Sequence, residues 1–342
     1  MPETATPATP VTPERIMQMA FAYSAPLMLE AAVRERVFDV LDSGPKTLEQ
    51  VSHETGASIR GLRAVMNAFV ALELLTKDQA DRYALTPESS TFLVRGKPAY
   101  YGALLMHTVT QLLPNWMQMS DILRTGKPAR AVNTQEEGAA FFEEFVEALF
   151  PVNYRVAQTL AAALKLADAP EPVKVLDIAA GSGVWGVALA QASKNVSVTA
   201  VDWPRVLPVT RRVAKRHGVS EQFSYVDGDI NDVAFGHGYH VAILGHILHS
   251  EGEPNSRRLL QKVFDALAPG GTVAIAEMVA NDRRTGPAFA MIFAVNMLVN
   301  SDEGSTYSFT EISGWLQDAG FTNPRLLSAP SPSPLILATK PR

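Results

Sequence analysis

The sequence predicts an α/β protein of two domains, in which a helical module precedes an open, doubly wound parallel sheet with a terminal β-hairpin. The chain has 342 residues, more than one typical domain. Apolar residues near the start recur at helical spacings, whereas short apolar strands alternate with helices from Val173 onward. We therefore expect a flexible tail at 1–13, a winged-helix dimerisation domain at 14–98, a helical linker and pocket wall at 99–170, and the sheet domain at 171–342.

The composition limits the kinds of molecule that this protein is expected to bind. Hydrophobic residues make up 47% of the chain, and the net charge of −5 lacks the basic excess that favours binding to a phosphate backbone. Because there is no cysteine, disulfides, thiolate metal sites and a cysteine nucleophile are excluded. The start lacks a signal-peptide pattern, and the apolar run from Pro287 to Val299 is shorter than the roughly 20 residues of a membrane span. We expect a cytoplasmic protein without nucleic-acid or membrane partners.

The first domain is predicted to be a winged helix. Thr47 starts a short helix with a capping-box pattern, Gly56 ends it, and Ser58 caps a second helix that runs through about Leu74. Few cations lie on this second helix, which favours a packing or dimerisation module over a DNA reader. Two short strands then form the wing, at Leu75 to Lys77 and Tyr83 to Leu85.

Apolar residues also predict how this domain is used. The amphipathic helices from Pro13 to about Leu41 carry more apolar surface than so small a core covers. Large exposed apolar surfaces usually mark interfaces, so we expect a homodimer.

The second domain is predicted from its alternating strands and helices. This alternation is typical of a parallel sheet with crossover helices, and the last two strands, separated by a Pro/Ser-rich turn, indicate a terminal hairpin. The predicted strands are Val173 to Ile178, Ser197 to Val201, Phe223 to Val226, Val241 to Leu244, Thr272 to Glu277, Pro324 to Leu327 and Leu335 to Thr339.

A glycine-rich turn follows the first of these strands. Gly181, Gly183 and Gly186 stand between the strand and a helix, where glycine permits a tight turn and lets a ligand approach the backbone. The same spacing satisfies the dinucleotide fingerprint and also suits a purely structural turn, so the motif alone does not identify the ligand.

Three aspartates near this Rossmann-like turn indicate which ligand it binds. Asp177, Asp202 and Asp229 lie at or just beyond the ends of the first three strands, the edge at which open sheets bind ligands. A carboxylate at Asp177 suits an ammonium group, Asp202 can accept from ribose hydroxyls, and Asp229 can accept from an adenine amino group. This set fits a sulfonium nucleoside, S-adenosylmethionine (SAM), better than a pyrophosphate. The alternative is that these aspartates are solvated residues at loop ends and bind no ligand.

In combination these segments resemble the two-domain small-molecule O-methyltransferases of the plant caffeate and bacterial natural-product type. The resemblance covers nearly the whole chain. It implies SAM as methyl donor and S-adenosylhomocysteine as product, homodimers formed mainly through the N-terminal domains, and a methyl acceptor held between domains. It rests on Val175 to Gly183, Val201 to Pro204, Gly228 to Ile230, Ile247 to His249, Leu267 to Gly271 and Ala276-Glu277. The predicted cofactor-binding residues are Asp177, Gly181, Gly183, Asp202, Trp203, Asp229, Ile230 and Gly245.

The resemblance also implies the catalytic residues. His249 matches the family's general base and Glu277 the acidic residue that orients it, and an imidazole with a pKa near 6.5 suits proton removal from a phenol. The alternative is that His249 is a structural residue whose hydrogen bonds are made within the protein. Two positions depart from the pattern of the plant enzymes. Ser250 stands where they have an aspartate after the histidine, and the position of their second orienting glutamate falls near Thr306.

The acceptor pocket is predicted from residues rich in methionine, aromatic rings and amides. Such a lining suits a flat hydrophobic acceptor, although each residue fits a core equally well. His246 and His249 lack further metal ligands, so we expect no metal. The predicted substrate-binding residues are Met106, His107, Trp116, Phe145, Leu149, His246, Phe293, Asn296, Met297 and Asn300, with Phe141 as a further candidate.

The sequence therefore predicts a SAM-dependent methyltransferase that acts on a hydroxyl of a small aromatic or polyketide-like molecule. Three alternatives remain at this point. A family member that has lost methyl transfer and performs hydroxylation or a pericyclic step is one, and carbon or nitrogen as the acceptor atom is another. A ligand-sensing DNA-binding regulator is the third, and it is disfavoured by the acidic N-terminal module.

Overall fold

The computed structural model describes residues 11–129, 145–330 and 333–342. The chain divides into two compact units, Met1–Thr110 and Gln111–Arg342. Phe141, a further candidate for the pocket, lies outside the described residues.

The first unit has the predicted winged-helix order. The Thr47 hydroxyl accepts from the Gln50 amide while the Gln50 side chain accepts from the Thr47 amide, which completes the capping box. The second helix ends at Ala71 rather than Leu74, because Glu73 adopts a left-handed φ of 60°. Its elements are α1 Glu14–Phe21, α2 Ser24–Arg34, α3 Val37–Leu41, α4 Leu48–Thr55, α5 Ile59–Ala71, the antiparallel pair β1 Leu75–Lys77 and β2 Tyr83–Leu85, α6 Pro87–Phe92 and α7 Gly102–His107.

The core of this unit excludes its first helix. Phe38, Met66, Phe69 and Tyr83 are fully buried, whereas α1 buries none of its residues. By length and composition alone, the stretch Glu14–Arg34 also matches a helix able to cross a membrane, with a mean hydropathy of 1.3. Length and composition alone do not separate such a stretch from a helix of a protein without a membrane partner, so the expectation of no membrane partner stays a prediction. The exposed apolar side chains at its start are Ile16, Met17, Met19, Phe21 and Tyr23.

The second unit is built on one sheet, in which the described residues form seven strands in the order β5-β4-β3-β6-β7-β9-β8. The strands are parallel except β9, which runs antiparallel to both neighbours. The carboxyl ends of β3, β4 and β6 lie together, because Ile178 pairs with Val201 on one side and Leu244 on the other. All seven predicted strands are confirmed, as β3 Val173–Ile178, β4 Val196–Asp202, β5 Phe223–Asp227, β6 Tyr239–Gly245, β7 Leu267–Ala276, β8 Thr322–Leu327 and β9 Leu335–Thr339.

Helices cover both faces of this sheet. Because side chains alternate along a strand, Val175 packs into one apolar layer and Leu176 into the opposite one. The longest helix is broken at Gly252, whose φ of 75° and ψ of 166° are not helical. The helices are α8 Leu113–Trp116, α9 Met119–Thr125, α10 Phe150–Ala163, α11 Val184–Ala192, α12 Leu207–Arg216, α13 Leu248–Ala266, α14 Ala288–Asn300 and α15 Phe309–Asp318.

Candidate active site

The glycine turn joins β3 to α11 at the centre of the sheet edge. Gly181 and Gly183 have φ values of 55° and 73°, which glycine adopts without the cost that a side chain imposes. A Cβ on Gly183 would lie 2.8 Å from Cγ2 of Thr210. The Thr210 hydroxyl in turn donates to the Gly181 carbonyl at 2.7 Å. The turn is therefore held in a tight conformation that requires glycine at these two positions.

Gly186 has a different function, because it lets α11 pack directly on the sheet. A Cβ at this position would lie 2.8 Å from Cγ1 of Val198 and 2.9 Å from Oδ2 of Asp177. The third glycine of the motif is thus explained by close packing between helix and strand.

Asp177 is fully buried beneath the turn. Its Oδ2 accepts from the Gly186 amide at 2.9 Å, whereas its Oδ1 has no hydrogen-bond partner in the described chain. Burial, reinforced by the nearby charge of Asp202 and opposed by the Gly186 amide, raises the pKa of Asp177 to about 7. An orphaned, buried oxygen at this position fits a site completed by a cationic group. The contact between Asp177 and an ammonium stays a prediction.

Asp202 lies at the end of β4 and binds the turn. Its Oδ2 accepts from the Gly181 amide and its Oδ1 from the Trp203 amide, both at 2.7 Å. Burial raises its pKa to about 6 in spite of these two hydrogen bonds. Each carboxylate oxygen has a second lone-pair direction, so both remain able to accept from a diol.

Asp229 belongs to a chain of polar contacts that the sequence did not predict. Its Oδ1 accepts from both the backbone and the side-chain amide of Asn231, and the latter also donates to Oε2 of Glu251 at 3.1 Å. Glu251 is buried, and burial raises its pKa. Ile230 is buried beside this group. The Asp-x-Asn spacing was the available signal for Asn231, whereas Glu251 is brought near by the fold alone.

The end of β6 is shaped by close contact with Trp185. Any side chain at Gly245 would overlap the Trp185 indole, which explains a glycine at this point. His246 follows with a left-handed φ of 63°, and its amide donates to the Ala276 carbonyl at 2.9 Å. Burial, with a smaller contribution from His249, lowers the pKa of His246 to about 4. His246 is therefore neutral at physiological pH.

His249 and Glu277 form a closely coupled pair. One oxygen of Glu277 accepts from the His249 backbone amide at 3.2 Å, and the other lies 2.8 Å from Nδ1 of the ring. The His249 side chain is 12% exposed and that of Glu277 4%. In the described chain Nε2 of His249 makes no hydrogen bond, and the ring meets Phe293 edge-on at a centroid separation of 5.0 Å. The glutamate thus orients the imidazole through one nitrogen and leaves the other available.

The charge of Glu277 is retained despite its burial. Burial acts to raise its pKa, but His249, through its charge when protonated and through its hydrogen bonds to the carboxylate, outweighs burial, and the pKa lies below the ordinary value. An ionised Glu277 accepts a proton-bearing Nδ1, so the neutral imidazole carries its lone pair on Nε2.

Neither Ser250 nor Thr306 supplies a second acidic partner. The Ser250 hydroxyl donates to the Ile247 carbonyl at 2.9 Å and so closes the first turn of α13. Thr306 is buried, and its hydroxyl has no hydrogen-bond partner in the residues described. Glu277 alone performs the orienting contact among these three.

The predicted substrate-binding residues are only partly brought together. Phe293, Asn296, Met297 and Asn300 share one face of α14, at spacings of three and four residues. Trp116 joins them, because its indole donates to Oδ1 of Asn296 at 3.0 Å.

Other predicted pocket residues belong to other segments of the chain. Phe145 directly precedes and Leu149 ends the short helix that starts at Val146, and the Val146 side chain packs within 4 Å of the position a Cβ on Gly181 would take. Met106 and His107 belong to the first unit, where Met106 is exposed and His107 is buried. Over the ranges the structure describes, no group of three or more acidic, histidine or cysteine side chains suits a metal ion.

Comparison with known proteins agrees with this geometry. An O-methyltransferase domain model matches residues 122–322, and an O-methyltransferase dimerisation domain model matches residues 17–95. The chain is 31% identical to the tetracenomycin polyketide synthesis 8-O-methyl transferase TcmO of Streptomyces glaucescens, over 98% of this chain and 100% of that one. It is 29% identical to the 3-hydroxy-5-methyl-1-naphthoate 3-O-methyltransferase of Streptomyces sahachiroi, over 96% and 94%.

A solved structure shows the same fold. Human N-acetylserotonin methyltransferase in complex with SAM superimposes with a TM-score of 0.86 at 22% identity, over 98% of this chain and 100% of that one. The glycine turn, the carboxylates at the strand ends and the full-length likeness lead to one assignment. The chain belongs to the two-domain O-methyltransferases, enzymes that take their methyl group from SAM.

Proposed function

We propose that this enzyme methylates a phenolic hydroxyl of a small aromatic or polyketide-like molecule, with His249 as the general base. The observation that carries the proposal is the double contact between Glu277 and His249, at 3.2 Å to the backbone amide and 2.8 Å to Nδ1. A structural histidine needs no such orientation of one ring nitrogen with the other left unbonded.

The pair is suited to removing a proton of moderate acidity. A phenol titrates near pH 10 and an unperturbed imidazole near pH 6.5, so proton transfer to Nε2 becomes favourable as the oxygen forms its new bond. The imidazolium formed is stabilised by ionised Glu277 at Nδ1. A positioned general base of this kind contributes roughly 10²–10⁴-fold to the rate.

The residues around the glycine turn fit SAM. Asp202 would accept from the ribose hydroxyls, Asp229 from the adenine amino group, and the orphaned oxygen of Asp177 lies beneath the turn that would receive the methionyl group. When bound, SAM supplies a methyl group activated by its positively charged sulfur. The chain holds the two reactants in line, and such positioning supplies much of the rate enhancement in bimolecular transfers.

The acceptor class is supported by the relatives. The two bacterial enzymes carry names that place their methyl transfer on a polyketide and on a naphthoate. The face of α14 that meets His249 combines an aromatic ring, a methionine and two amides, which suits a flat molecule with several oxygens.

We also propose that the enzyme is a homodimer through its first unit. The dimerisation model matches residues 17–95, and α1 leaves its apolar side chains exposed. Light scattering is expected to give twice the chain mass of 37.0 kDa. A monomer at micromolar concentration would contradict this.

Methyl transfer is tested with SAM carrying a trideuterated methyl group and a hydroxynaphthalene acceptor. We expect one trideuterated methyl ether for each S-adenosylhomocysteine formed, detected by mass spectrometry. The reaction without acceptor serves as control. Bound SAM that stays intact while the acceptor is hydroxylated or rearranged would overturn the proposal, as would a product methylated on carbon.

A further inference from the structure

A short turn after α14, at residues 301–305, packs against the main chain of the proposed base. The Ser305 amide donates to the His249 carbonyl at 2.8 Å, and the His249 amide donates to Oε1 of Glu277 at 3.2 Å. The main chain of His249 is therefore held from two sides, by the residue that follows β7 and by this turn.

The turn matters to His249 because the start of α13 is not a continuous helix. In an unbroken helix the carbonyl of residue 249 accepts from the amide of residue 253. Gly252 lies between the two and has non-helical backbone angles. The Ser305 amide supplies a partner from outside the helix, and it fixes the direction of the peptide group that follows His249.

Gly304 shows how closely the turn approaches the base. A Cβ on this residue would lie 2.6 Å from the carbonyl oxygen of His249, a separation that Cβ atoms in proteins do not show. Because that oxygen belongs to the main chain, only a shift of His249 or of the turn would make room. The positions of the turn and the base are thus linked by close contact as well as by a hydrogen bond.

Ser301 fastens this turn to the end of α14. Its hydroxyl donates to the Met297 carbonyl at 2.7 Å and accepts from the Gly304 amide at 3.0 Å. Ser301 is 3% exposed, so solvent has little access to replace either bond. Removal of the hydroxyl would leave the Gly304 amide without this acceptor, and the turn would no longer be fixed at this point.

We propose that Ser301 is a positioning residue that sets the reach of Nε2 of His249 toward the acceptor hydroxyl. The inference rests on the proposed role of His249 as general base, and Ser301 acts through Gly304 and Ser305. Glu277 orients the ring, whereas Ser301 fixes the main chain from which the ring extends. A base has to lie within about 2.6–3.2 Å of the atom whose proton it removes, and a misplacement of about 1 Å costs roughly a hundredfold in rate.

The test measures kcat of full-length variants with a hydroxynaphthalene acceptor at pH 7 and pH 10. In Ser301→Ala we expect kcat to fall about tenfold at pH 7 but less than about threefold at pH 10, where the phenol ionises without a base. The Kd for SAM is expected to stay unchanged. Ser301→Thr keeps the hydroxyl on an extended backbone that suits threonine, so its kcat is expected to stay within about threefold of the wild type.

Two further variants separate positioning from structural support. Gly304→Ala displaces the same contact from the other residue, and we expect it to lower kcat at pH 7 at least as much as Ser301→Ala does. Ser308→Ala is the matched control, because Ser308 is 2% exposed and its hydroxyl caps α15 by accepting from the Glu311 amide at 3.2 Å. We expect this control to lose thermal stability while its kcat is retained at both pH values.

The outcomes are distinct. Equal losses of kcat at the two pH values in both Ser301→Ala and Gly304→Ala, or an equal loss of kcat in Ser308→Ala, would show that Ser301 only supports folding and would overturn the inference. Full turnover in His249→Ala, measured alongside, would instead overturn the proposed base and the inference with it.

Discussion

The two sides of the active site are built by different means. On the cofactor side, buried carboxylates bind main-chain amides, as Asp177 does with Gly186 and Asp202 with Gly181. On the acceptor side, side chains bind side chains, as in the pair of His249 with Glu277 and the pair of Asn300 with Asn296 on α14. Backbone partners are the same whatever the neighbouring residue types, whereas side-chain partners are specific to each sequence. The first side is thus suited to a ligand shared by a family, and the second to a ligand that differs among its members.

The two sides also differ in how their charges are held. Burial raises the pKa of Asp177 to about 7 and that of Asp202 to about 6, so ionisation of both is costly before a ligand arrives. Glu277 is as deeply buried, yet its contacts with His249 lower its pKa. The acceptor side thus contains a partner for its buried carboxylate, whereas Oδ1 of Asp177 has no hydrogen-bond partner among the described residues.

The largest change in SAM affinity is expected at Asp202. Asp202→Ala removes the acceptor of two backbone amides and the proposed acceptor of the ribose hydroxyls, and charge-assisted hydrogen bonds contribute roughly 1.5–3 kcal/mol. The Kd for SAM is therefore expected to rise about tenfold to a hundredfold, measured by isothermal titration. Asn231→Ala, at the neighbouring strand end, is a control expected to weaken SAM less. An unchanged Kd in folded Asp202→Ala would remove this residue from the site.

A smaller effect is expected on the acceptor side at Glu277. Glu277→Gln keeps the shape and the contact with His249 but removes the charge that stabilises an imidazolium. We expect kcat to fall about tenfold with little change in the Kd for SAM, because the hydrogen bonds of the Glu277 side chain are made with His249. Steady-state kinetics beside titration would measure both. Parallel losses of binding and turnover would mean that the two sides are not independent.

The pH dependence of the unfolding free energy, measured without ligand, distinguishes the two sides by the charges they hold. The pKa of Asp177 is raised from 3.8 to about 7, so the folded chain binds this proton more tightly than the unfolded chain. Its contribution to stability is complete below pH 3.8 and is lost as the pH rises to about 7. Asp177→Asn is thus expected to reduce the decline in unfolding free energy over this range by roughly 4 kcal/mol, since each unit of pKa shift corresponds to about 1.4 kcal/mol. Denaturant unfolding at several pH values would measure it, and identical slopes would contradict the raised pKa.

The smallest effect is expected at Thr306. Its buried hydroxyl has no partner in the described structure, so Thr306→Val removes an unsatisfied group of nearly the same shape. Stability is expected to stay equal or to rise slightly, and kcat to stay within about twofold. A large fall in kcat would show that this position takes part in catalysis after all.

The same contrast explains how much was predictable from the sequence. The seven strands and the glycine turn follow from local patterns, since the turn depends on residues within a dozen positions of one another. The carboxylates at the strand ends follow from the rule that parallel strands place these ends at one edge. Resemblance, rather than pattern, pointed to His249 with Glu277.

The remainder depends on contacts between distant segments. Asn115 and Asn300 are 185 positions apart, and Asn231 meets Glu251 only because α13 begins beside the loop after β5. Hydrophobic spacing carries no information on such pairs. The break at Gly252 also escaped prediction, and a side chain at this position would collide with Glu303, a residue about fifty positions away in the sequence. Side-chain partners of this kind have to be read from the fold.

The central claim is that binding of SAM and removal of the acceptor proton are separate tasks of the two sides. The most direct test is His249→Ala, with the Kd for SAM from titration and kcat with a phenolic acceptor measured on the same preparation. We predict an unchanged Kd and a kcat lowered by roughly 10²–10⁴-fold, partly restored at higher pH where the phenol ionises unaided. Full turnover in this variant, or a loss of SAM affinity equal to the loss in kcat, would contradict the account.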